Sequence, residues 1–93
     1  MENQHKIIKG YRDLTIQEID LMNRIKEFGP QLLELIGDLN AHLVAQRANA
    51  KVDFTELTRL DAADPIRWVD IGRENLQQGL MALTRSVAQP TFF

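Results

Sequence analysis

Apolar residues recur every three or four positions from Ile16 to about Gln46, a spacing that places them along one side of an α-helix. The opposite side is polar throughout, as expected of a helix face in contact with water. Two registers of a seven-residue repeat carry the apolar side, and they hold Met22, Gly29, Ile36 and Leu43, and Ile25, Leu32 and Leu39. The pattern predicts a first long helix over residues 15–47 that packs against another helix.

The start of this helix is marked by Thr15 and Glu18, which have the spacing of a capping box. In such a box the threonine hydroxyl accepts a hydrogen bond from the glutamate N–H, and the glutamate carboxylate accepts one from the threonine N–H. Residues 1–14 are therefore predicted to form an N-terminal arm. Gly29 and Pro30 fall in mid-helix, where proline removes a backbone donor. Because the apolar repeat resumes in phase after them, a kinked continuous helix is favoured, with a break as the alternative.

A second helical segment is predicted over residues 54–88. Residues 48–53 carry no periodicity and are interpreted as the connecting loop, and residues 89–93 as a tail. Asp53 is a candidate N-cap, and Asp64 followed by Pro65 is another. Either a short helix precedes a long one, or a single helix bends near Pro65. The whole chain, residues 1–93, is thus expected to be one all-α domain, a hairpin of two long antiparallel helices.

Small residues on the second segment suggest an additional contact. Gly72 and Gly79 lie on one face with Asn75, Ala82 and Ser86. Because each glycine costs a helix about 1 kcal/mol, their alignment predicts close approach by another backbone, with chance as the alternative. Helices of about 30 residues are about 45 Å long, too long for one hairpin to cover its own apolar surface. The sequence therefore predicts a homo-oligomer.

Composition removes most functional classes. The 93 residues hold 11 Lys+Arg and 13 Asp+Glu, a net charge of -2 that argues against binding to DNA or RNA polymers. There is no cysteine, and His5 and His42 are the two histidines, so neither a metal nor another cofactor is expected. No catalytic motif is found, so no enzyme is expected and no catalytic residue is assigned. No apolar run reaches the roughly 20 residues of a membrane span, and no signal region follows Met1, so a cytoplasmic protein is expected.

Two groups of basic and aromatic residues are candidates for binding a small anion. The first joins Tyr11 and Arg12 in the arm to Lys26 on the first helix. Tyrosine stacks on nucleobases, and lysine and arginine bind phosphates, so this group suits a nucleotide. The alternative is that Tyr11 packs the arm onto the helix while the basic residues balance nearby acids.

The second group lies on the last helical segment. Arg67 is near a helix N-terminus, where free N–H groups already favour anions, so its position hints at a ligand. The alternative is a surface ion pair with Asp64 or Asp70. Arg85 and Thr91, near the other end of the segment, complete the group.

The sequence closely resembles a phage anti-CBASS family of proteins that hold cyclic oligonucleotides. The matching stretches are HKIIKGYRDLT at 5–15, EIDLMNR at 18–24, GLMALTR at 79–85 and AQPT at 88–91. The resemblance implies a helical-hairpin hexamer in the host cytoplasm that sequesters the messengers made by CBASS cyclases without cleaving them. It implies that Tyr11 and Lys26 bind cyclic dinucleotides such as cyclic GMP-AMP and that Arg67 binds cyclic trinucleotides. The competing hypothesis is an oligomeric helical module that engages a host protein through its apolar stripe.

Overall fold

The computed structural model describes residues 12–92, which form three helices and no strand. Helix α1 spans Ile16–Ala50, helix α2 spans Phe54–Ala63, and helix α3 spans Pro65–Ala88. The predicted all-α class, with a long helix followed by a helical segment that bends near Pro65, is confirmed. Tyr11 and the rest of residues 1–11 lie outside the described part of the chain. None of the described helices is both long and apolar enough to cross a bilayer.

The start of α1 is held by the predicted capping box. The Thr15 N–H donates to Glu18 Oε1 at 2.9 Å, and the Glu18 N–H donates to Thr15 Oγ1 at 3.1 Å. The first backbone bond of the helix then runs from the Ile19 N–H to the Thr15 carbonyl at 2.9 Å. Two otherwise unpaired donors are satisfied, so a motif of four residues fixes the point at which the arm ends.

Helix α1 continues three residues past its predicted end at residue 47. Ala48, Asn49 and Ala50 are helical, and Lys51 then leaves the helix with a φ of 50°. The predicted loop 48–53 is wrong in its first half, because the missing apolar period was interpreted as a loop although alanine favours helix by itself. Pro30 lies within α1 without interrupting it, which settles the choice between a continuous helix and a break.

Helices α2 and α3 are separate and meet at one residue. Asp53 caps α2 by accepting from the Glu56 N–H at 3.1 Å. Asp64, at φ 49° and ψ 55°, donates its N–H to the Leu60 carbonyl at 2.9 Å, and its own carbonyl accepts from the Trp68 N–H at 3.4 Å. The prediction of a short helix followed by a long one is therefore correct. The bend is made by Asp64, which adopts the left-handed conformation directly before Pro65.

Two compact units divide the chain. The terminal unit comprises Met1–Gly29 and Gln77–Phe93, as far as these are described, and the turn unit comprises Pro30–Leu76. The boundary at Gly29 and Pro30 lies inside α1. Leu60, in the turn unit, is the one buried residue in 12–92, and 4% of its surface is still exposed. Both units therefore rest on half-buried contacts rather than on an enclosed core.

The predicted apolar repeat is half-buried along most of α1, except at Leu39, where the neighbouring Asn40 takes the half-buried position. Helix α3 carries a seven-residue apolar repeat of its own, which includes Val69, Leu76 and Leu83. Agreement is poorer there, since Leu76 and Leu83 are exposed while Thr84 and Ala88 are half-buried. A strict seven-residue repeat drifts by about 20° per repeat around a straight helix, which accounts for such shifts. Large apolar side chains remain at the surface, among them Phe28, Val44, Trp68 and Met81.

Within residues 12–92, the close backbone approach predicted at the small-residue face does not occur. A Cβ atom added at Gly72 or at Gly79 would meet no atom within 4 Å. Both glycines therefore face open space, and no packing among the described residues explains why they are glycines.

Candidate functional site

An open groove of about 500 Å³ runs between α1 and α3 in the terminal unit. Most of its wall is apolar, with a few polar side chains, the usual make-up of a small-molecule site. The residues that line it are Met22, Ile25, Lys26, Gly29, Leu80, Met81, Thr84, Arg85, Ala88 and Pro90. The half-buried members come from the faces of α1 and α3 that the apolar repeats place together. The groove is thus a direct product of the helix packing.

Lys26 and Arg85 give this groove two cations, one from each helix. Both side chains are exposed, and both lie among the lining residues. Arg85 also donates from Nη2 to the Phe92 carbonyl at 3.4 Å, so it connects α3 to the tail that follows it. A guanidinium and an ammonium beside an apolar surface are suited to an anion that carries flat rings, such as a nucleotide. The sequence placed these two residues in separate groups, and the structure brings them together.

Two other features of the groove were missed from the sequence. Gly29 is part of its lining, and a Cβ added there would meet nothing within 4 Å, so its lack of a side chain keeps that space open. Thr84 contributes a hydroxyl, which donates to the Leu80 carbonyl at 2.9 Å. From the sequence, Gly29 was interpreted as a member of the apolar repeat. Its place before Pro30 was the one feature that set it apart, but that pairing was interpreted as the cause of a kink.

Arg12 fixes the described end of the arm, residues 12–14, to the helices. Its guanidinium donates to both carboxylate oxygens of Glu18, and Nη2 also donates to the Val87 carbonyl at 2.7 Å. These three groups are called the Arg12 clamp below. Val87 lies in the last turn of α3, where carbonyls lack helical partners and a cation is favourable. Arg12, predicted as a possible ligand-binding residue, is therefore engaged with the protein itself.

The clamp holds Glu18 ionised. Its pKa is lowered from 4.5 to about 2, first by the hydrogen bond from Arg12 and then by that from the Thr15 N–H. Both interactions stabilise the carboxylate relative to the acid.

The stability of the protein should depend on pH through this carboxylate. Because folding lowers the pKa of Glu18, the group adds stability above about pH 4.5 and loses it as the pH falls towards about 2. We expect the melting temperature of the unaltered protein to exceed that of Glu18→Gln at neutral pH, and the difference to shrink in acid. Thermal melts of both proteins followed by circular dichroism measure this. A difference that does not change with pH would contradict the assignment.

Arg67 lies in the turn unit, in the first turn of α3, and is exposed. Its guanidinium carbon is 5.3 Å from the centre of the Trp68 ring, a cation–π contact. The ion pairs found within residues 12–92 do not include Arg67, so the alternative of a pair with Asp64 or Asp70 is not realised there. A guanidinium oriented by an indole is free to present its outer edge to an anion.

The remaining candidates are placed differently. Thr91 is exposed in the segment after α3 and is not part of the groove lining. Tyr11 lies outside the described residues. His42 lines a cleft in the turn unit with Asn49 and Glu56. Within residues 12–92, no three histidine or carboxylate side chains are grouped so as to hold a metal ion.

Comparison with known proteins identifies the family. The model described as the Acb2/Tad1 hairpin domain matches residues 3–88. The chain is also similar to Anti-CBASS protein 2 of Pseudomonas phage JBD67, with 43% identity over an alignment that covers 97% of each protein. The match therefore includes both helices that form the groove, most of the arm, and Arg67. The resemblance seen in the sequence is confirmed, and the chain belongs to the Acb2/Tad1 hairpin family.

Proposed function

We propose that this chain is a phage anti-defence protein that binds cyclic di- and trinucleotide second messengers and holds them without cleavage, so that the CBASS effector is not activated. The observation that carries the proposal is the groove of the terminal unit, in which Lys26 and Arg85 flank an apolar surface. The proposal is also supported by the similarity to a protein whose name describes an anti-CBASS role. Its place of action is the cytoplasm of the infected bacterium.

The groove suits a cyclic dinucleotide because its cations match the phosphates of the ligand and its apolar lining matches the bases. The phosphates are anions for Lys26 and Arg85, and the bases offer flat surfaces for the apolar lining. Tyr11 supplies a stacking ring from the arm. A volume of about 500 Å³ lies within the range of small-molecule sites.

Arg67 is proposed to bind the cyclic trinucleotides at a second place. It belongs to the turn unit, whereas Lys26 belongs to the terminal unit. Its guanidinium is exposed and is oriented by Trp68. Sites on different units should respond to separate substitutions.

A homo-oligomer, a hexamer by family resemblance, is part of the proposal. Trp68 is 59% exposed, Met81 70% and Val44 65%, so large apolar side chains are available to pack against another copy of the chain. Copies related by symmetry also bring equal cations to one ligand, which suits a ring with two or three equivalent phosphates.

Holding rather than cleaving is supported by the chemistry of the lining. The groove residues given above include no carboxylate and no histidine, the groups that most often act as general bases. The overall charge of -2 also favours small anions over nucleic-acid polymers, since polymers are bound by a surplus of positive charge.

A single experiment tests sequestration. The protein is incubated with cyclic GMP-AMP, freed of unbound ligand and digested with protease, and the released nucleotide is separated by chromatography. We expect intact cyclic GMP-AMP. Linear product would place the protein among enzymes, and failure to retain any cyclic di- or trinucleotide would reject the proposal.

The exposed apolar side chains also fit a second candidate, a module that engages a host protein. This alternative predicts a stable complex with that protein and no change in melting temperature with any cyclic oligonucleotide. A thermal-shift series with cyclic di- and trinucleotides therefore separates the two.

A further inference from the structure

The chain turns back towards the groove directly after α3, at Gln89. This residue has a φ of 51°, and its N–H donates to the Arg85 carbonyl at 2.8 Å. Pro90 follows and is half-buried in the groove lining. Residues 89–92 are called the strap below, and through Pro90 the strap forms part of the groove wall.

The far end of the strap lies on one of the two groove cations. The Phe92 carbonyl accepts from Arg85 Nη2 at 3.4 Å, a longer distance than most N–H···O hydrogen bonds have. The ion pairs found within residues 12–92 do not include Arg85. Its guanidinium therefore has a neutral acceptor in the strap, and a phosphate binds a guanidinium more strongly because the phosphate is charged.

Gln89 is an unfavourable residue for the turn that it makes. A left-handed φ brings a Cβ atom close to the next carbonyl oxygen, and a residue before proline prefers an extended conformation. Helices that end with this turn usually have a glycine there. The Gln89 side chain is exposed, so the turn depends on the backbone bond to Arg85, on Pro90 and on the Phe92 carbonyl. Loss of the Phe92 contact would favour the extended form.

The last turn of α3 is fixed independently of the strap. Within the Arg12 clamp, the Val87 carbonyl accepts from Arg12 at 2.7 Å, two residues before Gln89. A movement of the strap is thereby confined to the residues that follow α3, with Gln89 as the hinge.

We propose that the strap competes with the ligand for Arg85. In the free protein the Phe92 carbonyl occupies the guanidinium; a phosphate in the groove displaces the carbonyl, and the strap turns outward at Gln89. The inference rests on the proposed function, because it requires that the groove bind a phosphate. Since the closed strap must be opened first, it lowers the apparent affinity of the groove.

Two substitutions at the hinge test the competition in the full-length protein. Gln89→Gly removes the steric cost of the left-handed turn and keeps the strap closed, so cyclic GMP-AMP is expected to bind about fivefold more weakly. Gln89→Val adds a β-branched side chain that disfavours a positive φ, so the strap opens and binding is expected to be about fivefold tighter. Neither change alters a residue of the groove lining. Calorimetry measures both affinities.

Hydrogen exchange followed by nuclear magnetic resonance detects the movement itself. The Gln89 N–H is protected by its bond to the Arg85 carbonyl, so cyclic GMP-AMP is expected to speed its exchange severalfold. Asp64 is the matched control, because it makes the same left-handed turn before a proline and donates to the Leu60 carbonyl at 2.9 Å, but belongs to the turn unit. Its exchange should not change.

Several results would overturn the inference. Equal affinities of the two hinge variants would show that the strap does not compete, and the reverse order would show that it helps to hold the ligand. Unchanged or slower exchange at Gln89 with ligand would exclude the movement. If the unaltered protein binds no cyclic GMP-AMP, the proposed function fails. An excess of inorganic pyrophosphate, which carries phosphates without bases, then tests the strap alone: faster Gln89 exchange supports the inference, and unchanged exchange overturns it.

Discussion

Lys26→Gln is expected to weaken cyclic GMP-AMP binding about 100-fold or more and to spare cyclic trinucleotides. A charge-assisted hydrogen bond contributes about 1.5–3 kcal/mol, and a ligand shared by two symmetric copies would lose two of them. Glutamine keeps most of the side-chain length and removes the charge, so the effect reports the cation. Tyr11→Ala should have the same selectivity, because it removes the stacking partner of the same ligand. Calorimetry with both ligands measures each effect.

Arg67→Ala is expected to show the opposite selectivity, with loss of cyclic trinucleotides and retention of cyclic GMP-AMP. Matched controls are available on the turn unit, since Lys51 and Arg73 are likewise exposed and lie outside the groove. Lys51→Gln and Arg73→Ala should therefore bind both ligands normally. Equal losses for the two ligands in Lys26→Gln and Arg67→Ala would reject the assignment of two sites.

Filling the groove should abolish cyclic dinucleotide binding without unfolding the protein. Gly29 lines the groove and has open space where a Cβ would be, so the side chain of Gly29→Leu should occupy volume that the ligand needs. Gly29 precedes Pro30, whose ring crowds the Cβ of the residue before it in a helix, so the gain in helix propensity is offset. Affinity for cyclic GMP-AMP is expected to fall about 100-fold or more, while the melting temperature changes little.

Gly37→Leu is the control for this substitution. Gly37 also lies within α1 with nothing within 4 Å of an added Cβ, but it belongs to the turn unit and is not part of the groove lining. Gly37 is not followed by proline, so Gly37→Leu should stabilise α1 by roughly 0.8 kcal/mol and keep its affinity. Light scattering on both variants verifies that assembly is unchanged. Normal binding by Gly29→Leu, with assembly intact, would place the ligand elsewhere.

Local motifs of the sequence were predicted well because their contacts span only a few residues. The Thr15 and Glu18 box forms both of its expected hydrogen bonds. Asp53 caps α2 as predicted, and the Glu56 side chain pairs with Arg59. The end of α1 was predicted three residues too early, because alanine-rich residues continue a helix without any apolar period.

Side-chain partnerships across the chain could not be predicted. Arg12 and Glu18 are six positions apart and on different sides of the helix start, so no helical spacing rule pairs them. The contact of Arg12 with Val87 spans 75 positions and depends on how α1 packs on α3. Sequence reasoning placed Arg12 among the ligand-binding residues because charge and position were all that it could consider.

The sequence by itself determined the helical class, the helix starts and the family, since these depend on periodicity, caps of three or four residues and matching stretches. Only the tertiary structure decided that Lys26 and Arg85 share one apolar groove, that Gly29 leaves it open, and that Arg12 secures the arm to the end of α3. The physical reason is distance along the chain: a periodic pattern defines which face of a helix is apolar, whereas packing defines which residues of two such faces meet.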